Sequence, residues 1–263
     1  MSENTKIKSS LNKKIAIIGT GISGLTAAYY LSSRCDLTVF EKNDYVGGHT
    51  QTHDVEWQGE CHPIDTGFIV FNDWTYPEFI RLMKAIGVED QPSHMSFSVK
   101  CERTGLEYNG TSLNALFAQR KNLFSPRFLG MIRDIMRFNR EAPAFLDHGD
   151  DAMTLGAYLS EHRYGKSFRD HYIIPMGAAI WSAAPDDMLE FPARFFIRFF
   201  KNHGMLSIDE RPVWRVIQGG SKSYIEPLTR SFKERIQLNA GVRSIRRFDD
   251  HVEVARADGS IAH

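Results

Sequence analysis

The 263-residue chain has an ordinary globular composition, because 42% of its residues are hydrophobic and 24% are charged. Lys and Arg number 32, as do Asp and Glu, so no net charge favours nucleic acid as a partner. The three cysteines Cys35, Cys61 and Cys101 are odd in number and widely spaced. They argue against a disulfide framework and favour a reducing compartment.

The first 12 residues are polar and lack an apolar run, which predicts a disordered tail and no secretory signal. The longest nearly apolar stretch runs from Tyr172 to Ala184 and is well short of the ~20 residues that a membrane-spanning helix needs. We therefore expect a cytoplasmic protein.

The first predicted elements form a βαβ unit. Residues Ile15–Ile18 are apolar, as in a parallel strand that is buried on both faces. Ile22–Ser33 has apolar residues at helical spacing, and Leu37–Glu41 is a second short strand. Strand, helix and strand thus follow each other within about thirty residues.

The middle of the chain predicts helices. Ser125 is a typical N-cap, with Pro126 in the first turn behind it. Helical spacing of apolar residues occurs in three other segments as well. The predicted helices lie within residues 76–88, 125–146, 153–163 and 192–204.

The end of the chain predicts strands. From Ile236 the pattern alternates, with turns at Asp249–Asp250 and Asp258–Gly259. The second turn should begin a further strand, yet the sequence stops four residues after Gly259, which would leave an unpaired edge. We expect the chain to be the N-terminal portion of a longer protein, and a short natural C-terminus is the alternative.

Three glycines follow the first strand in the sequence GTGISG. Gly19 allows a tight turn, Gly21 lets backbone amides approach a pyrophosphate, and Gly24 lets the helix pack closely on the strand. The amides and positive dipole end of the helix then face the phosphates. Glu41, at the end of the second strand, can accept hydrogen bonds from ribose hydroxyls and would repel a 2′-phosphate. The pattern predicts a dinucleotide without that phosphate.

A second glycine pair, Gly47–Gly48, permits another close approach of backbone to the ligand. An NAD-binding domain has no evident need for this pair, so the pair favours FAD. The motifs GTGISGL, Glu41–Lys42 and GGHT resemble the flavin-containing amine oxidase superfamily, which includes monoamine oxidases, protoporphyrinogen oxidase and phytoene desaturases. The resemblance implies that Glu41 binds the adenosine ribose and that the glycine pair lies against the FAD diphosphate. Many members have Arg at the position of His49.

Later segments extend the resemblance. DTGF, residues 65–68, resembles the segment whose backbone lies beside the isoalloxazine ring, and Trp214 stands five positions before a glycine pair, as in the family. Val242 matches a valine whose backbone meets the adenine edge. The family's later flavin-contacting segment would lie beyond His263, so no catalytic residue is predicted. The cofactor-binding residues that the resemblance implies are Gly19, Gly21, Ile22, Ser23, Gly24, Glu41, Lys42, Gly47, Gly48, His49, Thr50, Thr66, Gly67, Phe68 and Val242.

The resemblance implies an α/β fold. A Rossmann-like FAD-binding domain of the amine oxidase type would cover residues 13–75 and 206–263, and a mostly helical substrate domain would be inserted over residues 76–205. The implied function is hydride transfer to flavin N5 from an amine or from an acyl chain. The acyl substrate is suggested by a similar bacterial branch whose members occur beside cyclopropane fatty acid synthases.

Two further interpretations stay open. The first is an NAD-dependent dehydrogenase that uses the same glycine loop. The second is a non-catalytic FAD-binding partner of a lipid-modifying enzyme. The oligomeric state is not predicted.

Other candidate sites have simpler explanations. His49, His53 and Cys61–His62 are too few for a zinc site, and His49 already belongs to the flavin motif, so no metal is predicted. Tyr172 can line a substrate pocket, but packing in the core is the favoured explanation. The basic aromatic segments 126–140 and 194–201 fit either an anionic membrane surface or contacts between helices. Peripheral membrane contact at the inner face of the membrane therefore stays open.

Overall fold

The computed structural model describes residues 13–207 and 211–262, so the predicted disordered tail over residues 1–12 lies outside the described part of the chain. The chain divides into two compact units. The first unit comprises the chain up to Phe71, the segment Tyr76–Ser93 and the chain from Arg215 onward. The second unit comprises Asn72–Thr75 and His94–Trp214.

Short strands and helices make up both units. In chain order, the strands are β1 (Lys14–Ile18), β2 (Asp36–Phe40), β3 (Thr52–Trp57), β4 (Glu60–Asp65), β5 (Phe71–Asn72), β6 (Asp90–Pro92), β7 (Ser98–Cys101), β8 (Leu106–Asn109), β9 (Trp214–Ile217), β10 (Ile236–Gln237), β11 (Val242–Arg247), β12 (Val252–Arg256) and β13 (Ile261–Ala262). The helices are α1 (Ile22–Leu31), α2 (Pro77–Ala85), α3 (Leu113–Leu116), α4 (Pro126–His148), α5 (Leu155–Glu161), α6 (Lys166–Phe168), α7 (Ile174–Trp181), α8 (Ala193–Asn202) and α9 (Ile225–Thr229). Short 3-10 turns cover Arg120–Phe124, Asp187–Glu190, Ser221–Tyr224 and Lys233–Arg235, and a π turn covers Arg169–Ile173.

Three parallel strands form the main sheet of the first unit, with β2 between β1 and β10. Ile17 pairs with Val39, and both side chains are buried together with Leu25 of α1. The predicted βαβ unit is therefore present, although α1 ends two residues earlier than Ser33. Strand β1 is buried on one face only, since Ile18 is 46% exposed. The prediction of a strand buried on both faces is wrong for β1, because α1 covers only the face that carries Ile17.

The two units divide the chain at points that differ from the predicted domain boundaries. Tyr76–Ser93 groups with the first unit, because Leu82 and Met83 of α2 are buried in its core. At the other boundary the second unit extends to Trp214, whose ring stacks on His203 with the centroids 6.2 Å apart. The predicted boundaries lay after residues 75 and 205.

The end of the first unit follows the predicted strand pattern. Strands β11, β12 and β13 form an antiparallel sheet, with the predicted turns between them. Strands β3 and β4 form a separate hairpin, and β6 pairs antiparallel with β9.

The second unit is built from helices and the β7–β8 hairpin. Helix α4 begins as predicted, because the Ser125 hydroxyl accepts a hydrogen bond from the Phe128 backbone N–H and Pro126 occupies the first position. Thr154 caps α5 in the same way. The core of this unit is rich in buried aromatic rings, among them Phe138, Phe168, Phe196 and Phe200. Among the described helices, none combines the length and the hydropathy that crossing a membrane requires.

Helix α8 offers a matched pair of positions for testing this core. Phe196 is fully buried and stacks on Phe200 with ring centroids 4.2 Å apart, whereas its neighbour Phe195 is 51% exposed. We expect Phe196→Ala to lower the free energy of unfolding by about 3–5 kcal/mol, because it removes a ring from a close-packed interior. Phe195→Ala should cost less than about 1.5 kcal/mol. Urea unfolding measures both, and equal effects would contradict this assignment of the core.

Candidate functional site

The first glycine turn joins β1 to α1. Gly19 has φ +90°, a conformation that favours glycine, and its N–H donates to the Phe40 carbonyl at 2.8 Å. A Cβ at Gly24 would lie 2.0 Å from the Gly19 carbonyl oxygen, so the helix packs on the turn backbone to backbone. A Cβ at Gly21 would meet nothing within 4 Å. Two of the three glycines are thus needed for the fold, and Gly21 borders open space.

Glu41 is a buried carboxylate whose hydrogen bonds tie the glycine turn to the end of β2. The residue is 4% exposed. Its Oε2 accepts from the Thr20 N–H at 2.8 Å and from the Thr20 hydroxyl, and its Oε1 accepts from the Asn43 N–H at 2.9 Å. The Thr20 hydroxyl also accepts from the Gly47 N–H at 3.2 Å. One hydroxyl therefore connects both glycine segments to the same carboxylate.

The pKa of Glu41 lies below its usual value. Burial raises the pKa, but the hydrogen bonds from Thr20 and Asn43 and from the Lys42 backbone together outweigh burial. The carboxylate is therefore ionised at neutral pH. A fixed negative charge at the end of β2 disfavours any phosphate placed beside it.

The second glycine pair lies against the first glycine turn. Gly47 and Gly48 have φ +128° and +61°, and a Cβ at Gly48 would lie 3.1 Å from the Gly21 Cα. The Thr50 N–H donates to the Gly47 carbonyl at 3.0 Å, and the Thr50 hydroxyl bonds to the hydroxyl of buried Tyr224. The pair thus packs directly against the backbone of Gly21.

The segment after β4 runs beside the segment after the glycine pair. A Cβ at Gly67 would lie 1.9 Å from the His49 carbonyl oxygen, to which the Phe68 N–H donates at 3.0 Å. The Thr66 N–H donates to the Gln51 carbonyl at 3.0 Å. His49 takes part in this contact through its backbone, while the residue as a whole is exposed.

The Gly219–Gly220 pair is held against the β3–β4 hairpin. Asp65 accepts from the Ser221 N–H at 2.9 Å, from the Ser221 hydroxyl at 2.8 Å and from the Thr52 hydroxyl at 2.6 Å. The Thr52 hydroxyl in turn accepts from the Lys222 N–H at 2.9 Å. Asp65 therefore fixes the end of β4, which leads directly into Thr66.

The segment before β11 runs along the end of β2. The Ala240 N–H donates to the Glu41 carbonyl at 2.7 Å, and a Cβ at Gly241 would lie 3.4 Å from the Lys42 Cβ. Val242, the first residue of β11, follows at once. The predicted adenine-side residues Glu41, Lys42 and Val242 are thus brought together.

The structure gathers all the predicted positions in the first unit, but sequence reasoning missed their supports. Ile22 and Ser23 form the exposed first turn of α1. Thr20, Thr52, Ser221 and Tyr224 were not singled out, although they supply the hydrogen bonds that hold the loops. The available signals were the position of Thr20 inside the first glycine loop and the position of Ser221 directly after Gly219–Gly220.

Two candidates that sequence analysis set aside have structural explanations. Within the described residues, no three His, Cys, Asp or Glu side chains come close enough to hold a metal ion. The ring of Tyr172 stacks on Phe168 with the centroids 5.5 Å apart, and burial raises the pKa of its hydroxyl to about 12. Tyr172 therefore belongs to the core of the second unit.

Solved structures with a similar fold include a putrescine oxidase and a cyclohexylamine oxidase. A putrescine oxidase variant redesigned in its cofactor binding is 18% identical with a TM-score of 0.67, and the match covers 95% of this chain and 56% of that one. Wild-type putrescine oxidase bound to putrescine is 19% identical with a TM-score of 0.63 and the same coverage. Cyclohexylamine oxidase from Brevibacterium oxydans IH-35A is 20% identical with a TM-score of 0.63, and the match covers 92% of this chain and 54% of that one.

These likenesses show the fold alone, and the chain spans little more than half the length of each of these neighbours. No curated protein matches the chain. A family model described as flavin containing amine oxidoreductase matches residues 22–262, which is nearly all of the sequence. The chain therefore belongs to the flavin-containing amine oxidoreductase family, whose cofactor is FAD.

Proposed function

We propose that this chain carries the FAD-binding part of an oxidoreductase that takes a hydride from the carbon next to an amine nitrogen. One observation carries the proposal: the Thr20 hydroxyl joins Glu41 to both glycine segments and leaves Gly21 facing open space. Membership of the family and the amines named for its structural neighbours support an amine as substrate.

We assign the pyrophosphate of FAD to the start of α1. No side chain caps this helix, and its first residues Ile22 and Ser23 are exposed. Backbone N–H groups and the positive end of the helix dipole favour an anion at such a position. Gly21 gives access to these groups, and Gly48 permits a second backbone approach from the opposite glycine pair.

We assign the adenosine end to Glu41, Lys42 and Val242. Hydrogen bonds from Thr20 and Asn43 fix the Glu41 carboxylate at the end of β2. An ionised carboxylate is a hydrogen-bond acceptor only, and a ribose hydroxyl is a donor that suits it. Because the carboxylate is ionised, a 2′-phosphate would be repelled, which disfavours NADP.

We assign the ring end to the paired segments His49–Thr50 and Thr66–Phe68. Backbone hydrogen bonds join these two segments, so together they form a rigid surface on which a planar ring can lie. When bound, the flavin supplies a two-electron acceptor at N5. The chain would position the bound ring and exclude water from it, and these two roles require no catalytic triad.

An amine is favoured over an acyl chain as the substrate, because the acyl chain was suggested only by the occurrence of a similar bacterial branch beside cyclopropane fatty acid synthases. The flavoprotein family disfavours the NAD-dependent alternative. We further propose that the second unit is the substrate domain. Cytoplasmic location and peripheral contact with a membrane remain predictions from sequence.

Glu41→Gln tests the carboxylate. We expect the free energy of unfolding at pH 7 to fall by about 1–3 kcal/mol, because an amide cannot accept at both of its ends. The folded-state pKa lies below the usual 4.5, so the ionised form stabilises the fold above that pH and the stabilisation disappears as the pH falls through the lowered pKa. Urea unfolding should therefore show a smaller difference between the two proteins at about pH 3.5 than at pH 7. A pH-independent difference would contradict the role of the charge, and Glu60→Gln, at a side chain 81% exposed, is the control.

Gly21→Ala separates ligand contact from folding. The added methyl meets no protein atom within 4 Å, and φ −66° suits any residue, so the free energy of unfolding should change by less than about 1 kcal/mol. FAD should bind at least about tenfold more weakly, because the methyl occupies the space assigned to the pyrophosphate. Flavin fluorescence titration measures the affinity. Gly130→Ala in α4, where a Cβ also meets nothing, is the matched control and should leave FAD affinity unchanged.

Anaerobic reduction tests the activity. We expect the complete gene product to purify with visible flavin absorbance, and putrescine or cyclohexylamine to bleach it without oxygen. Dithionite shows that the flavin is reducible in any case. Flavin that dithionite reduces and no amine reduces would refute the proposed oxidation and favour a non-catalytic FAD-binding protein. A colourless protein that binds NADH would favour the dehydrogenase.

A further inference from the structure

The second unit contains a cavity of about 630 Å³ that none of the predicted cofactor residues lines. It is formed by the turn between β7 and β8, the first half of α4 and the segment 165–171. This volume is in the range of sites for small molecules. The cationic side chains that line it are Arg103, Arg127, Arg133 and Lys166.

Most of the positive charge around this cavity is not neutralised. Buried Asp134 pairs with Arg133 at 3.7 Å and with Arg137 at 3.6 Å, and its other oxygen accepts from the Gly165 N–H at 2.8 Å. In the described part of the chain, Arg103, Arg127 and Lys166 form no ion pair. The lining carboxylate Asp170 is paired with Arg169 at 2.7 Å.

The lining also provides hydrogen-bond donors and apolar side chains. Thr104 and Ser167, which carry hydroxyls, line the cavity, and so do the buried residues Met131 and Phe168. The N-terminal turn of the 23-residue helix α4 borders it through Pro126 and adds the positive end of its dipole to the charge of the side chains.

This combination selects an anion with several acceptor oxygens. An arginine fork pairs with two oxygens of a phosphate, and a lysine contributes a point charge. An amine substrate is repelled by the same charges, so the cavity differs in chemistry from an amine site. We propose that this cavity binds a ligand that carries a phosphate group.

The phosphate can belong to a soluble compound or to a phospholipid headgroup. The second source is relevant because Phe124, two residues before α4, is 86% exposed, and Leu129 is 43% exposed. Exposed apolar side chains beside cations are typical of contacts with an anionic lipid surface.

The test uses two probes with the 263-residue chain at low ionic strength. Calorimetry measures binding of glycerol 3-phosphate, with glycerol as the uncharged comparison. Sedimentation measures binding to vesicles of phosphatidylglycerol and phosphatidylcholine, with pure phosphatidylcholine as the comparison. The double variant Arg127→Gln/Lys166→Gln removes two cations from the cavity. The matched control Lys84→Gln/Arg247→Gln removes two exposed cations from α2 and β11, outside the lining and outside both basic aromatic segments.

We expect the cavity variant to bind at least about tenfold more weakly than the parent chain, and the control to bind as the parent does. Loss confined to glycerol 3-phosphate identifies a soluble ligand, and loss confined to the anionic vesicles identifies a headgroup; each supports the proposal. The proposal fails if neither probe binds, or if the control loses as much affinity as the cavity variant. Circular dichroism and thermal unfolding verify that both variants are folded.

Discussion

The hydrogen bonds around the Thr20 hydroxyl fix the arrangement on which the candidate cofactor site depends. A buried carboxylate is costly unless donors surround it, and Glu41 finds its donors in the backbone and side chain of Thr20 and in the backbone of Asn43. The same hydroxyl accepts from the Gly47 N–H. Satisfying one buried charge therefore also sets the distance between the two glycine segments.

Three glycines of the first unit fall into two physical classes. At Gly24 and Gly67 a Cβ would lie about 2 Å from a backbone oxygen, at 2.0 and 1.9 Å, so no side chain can be accommodated there without moving the chain. At Gly21 a Cβ would meet nothing. Glycine at a crowded position serves the fold, whereas glycine at an open position beside an uncapped helix start is best explained by a ligand.

Local signals in the sequence predicted much of this fold, and contacts between distant segments account for the rest. The Ser125 cap, helix α1 and the spacing of Gly19, Gly21 and Gly24 are readable within a few residues. The bond between Asp65 and Ser221 joins positions 156 residues apart, and single-sequence patterns do not encode such a partner. The exposure of Ile18 was missed for a related reason, since strand composition does not say which faces are covered.

The surroundings of Glu41 and the cavity of the second unit carry opposite local charges, and these charges determine where a phosphate is favoured. At the end of β2 the hydrogen-bonded carboxylate of Glu41 stays ionised, which disfavours a phosphate beside it and underlies the contact with a ribose that we propose. In the cavity of the second unit, Asp134 is already engaged by two arginines and a backbone N–H, so it does not offset Arg127 and Lys166. A phosphate is therefore favoured there for the same reason that it is disfavoured beside Glu41. The formal net charge of the whole sequence is zero, so it does not distinguish these two environments. They differ because the fold determines which charged side chains have partners.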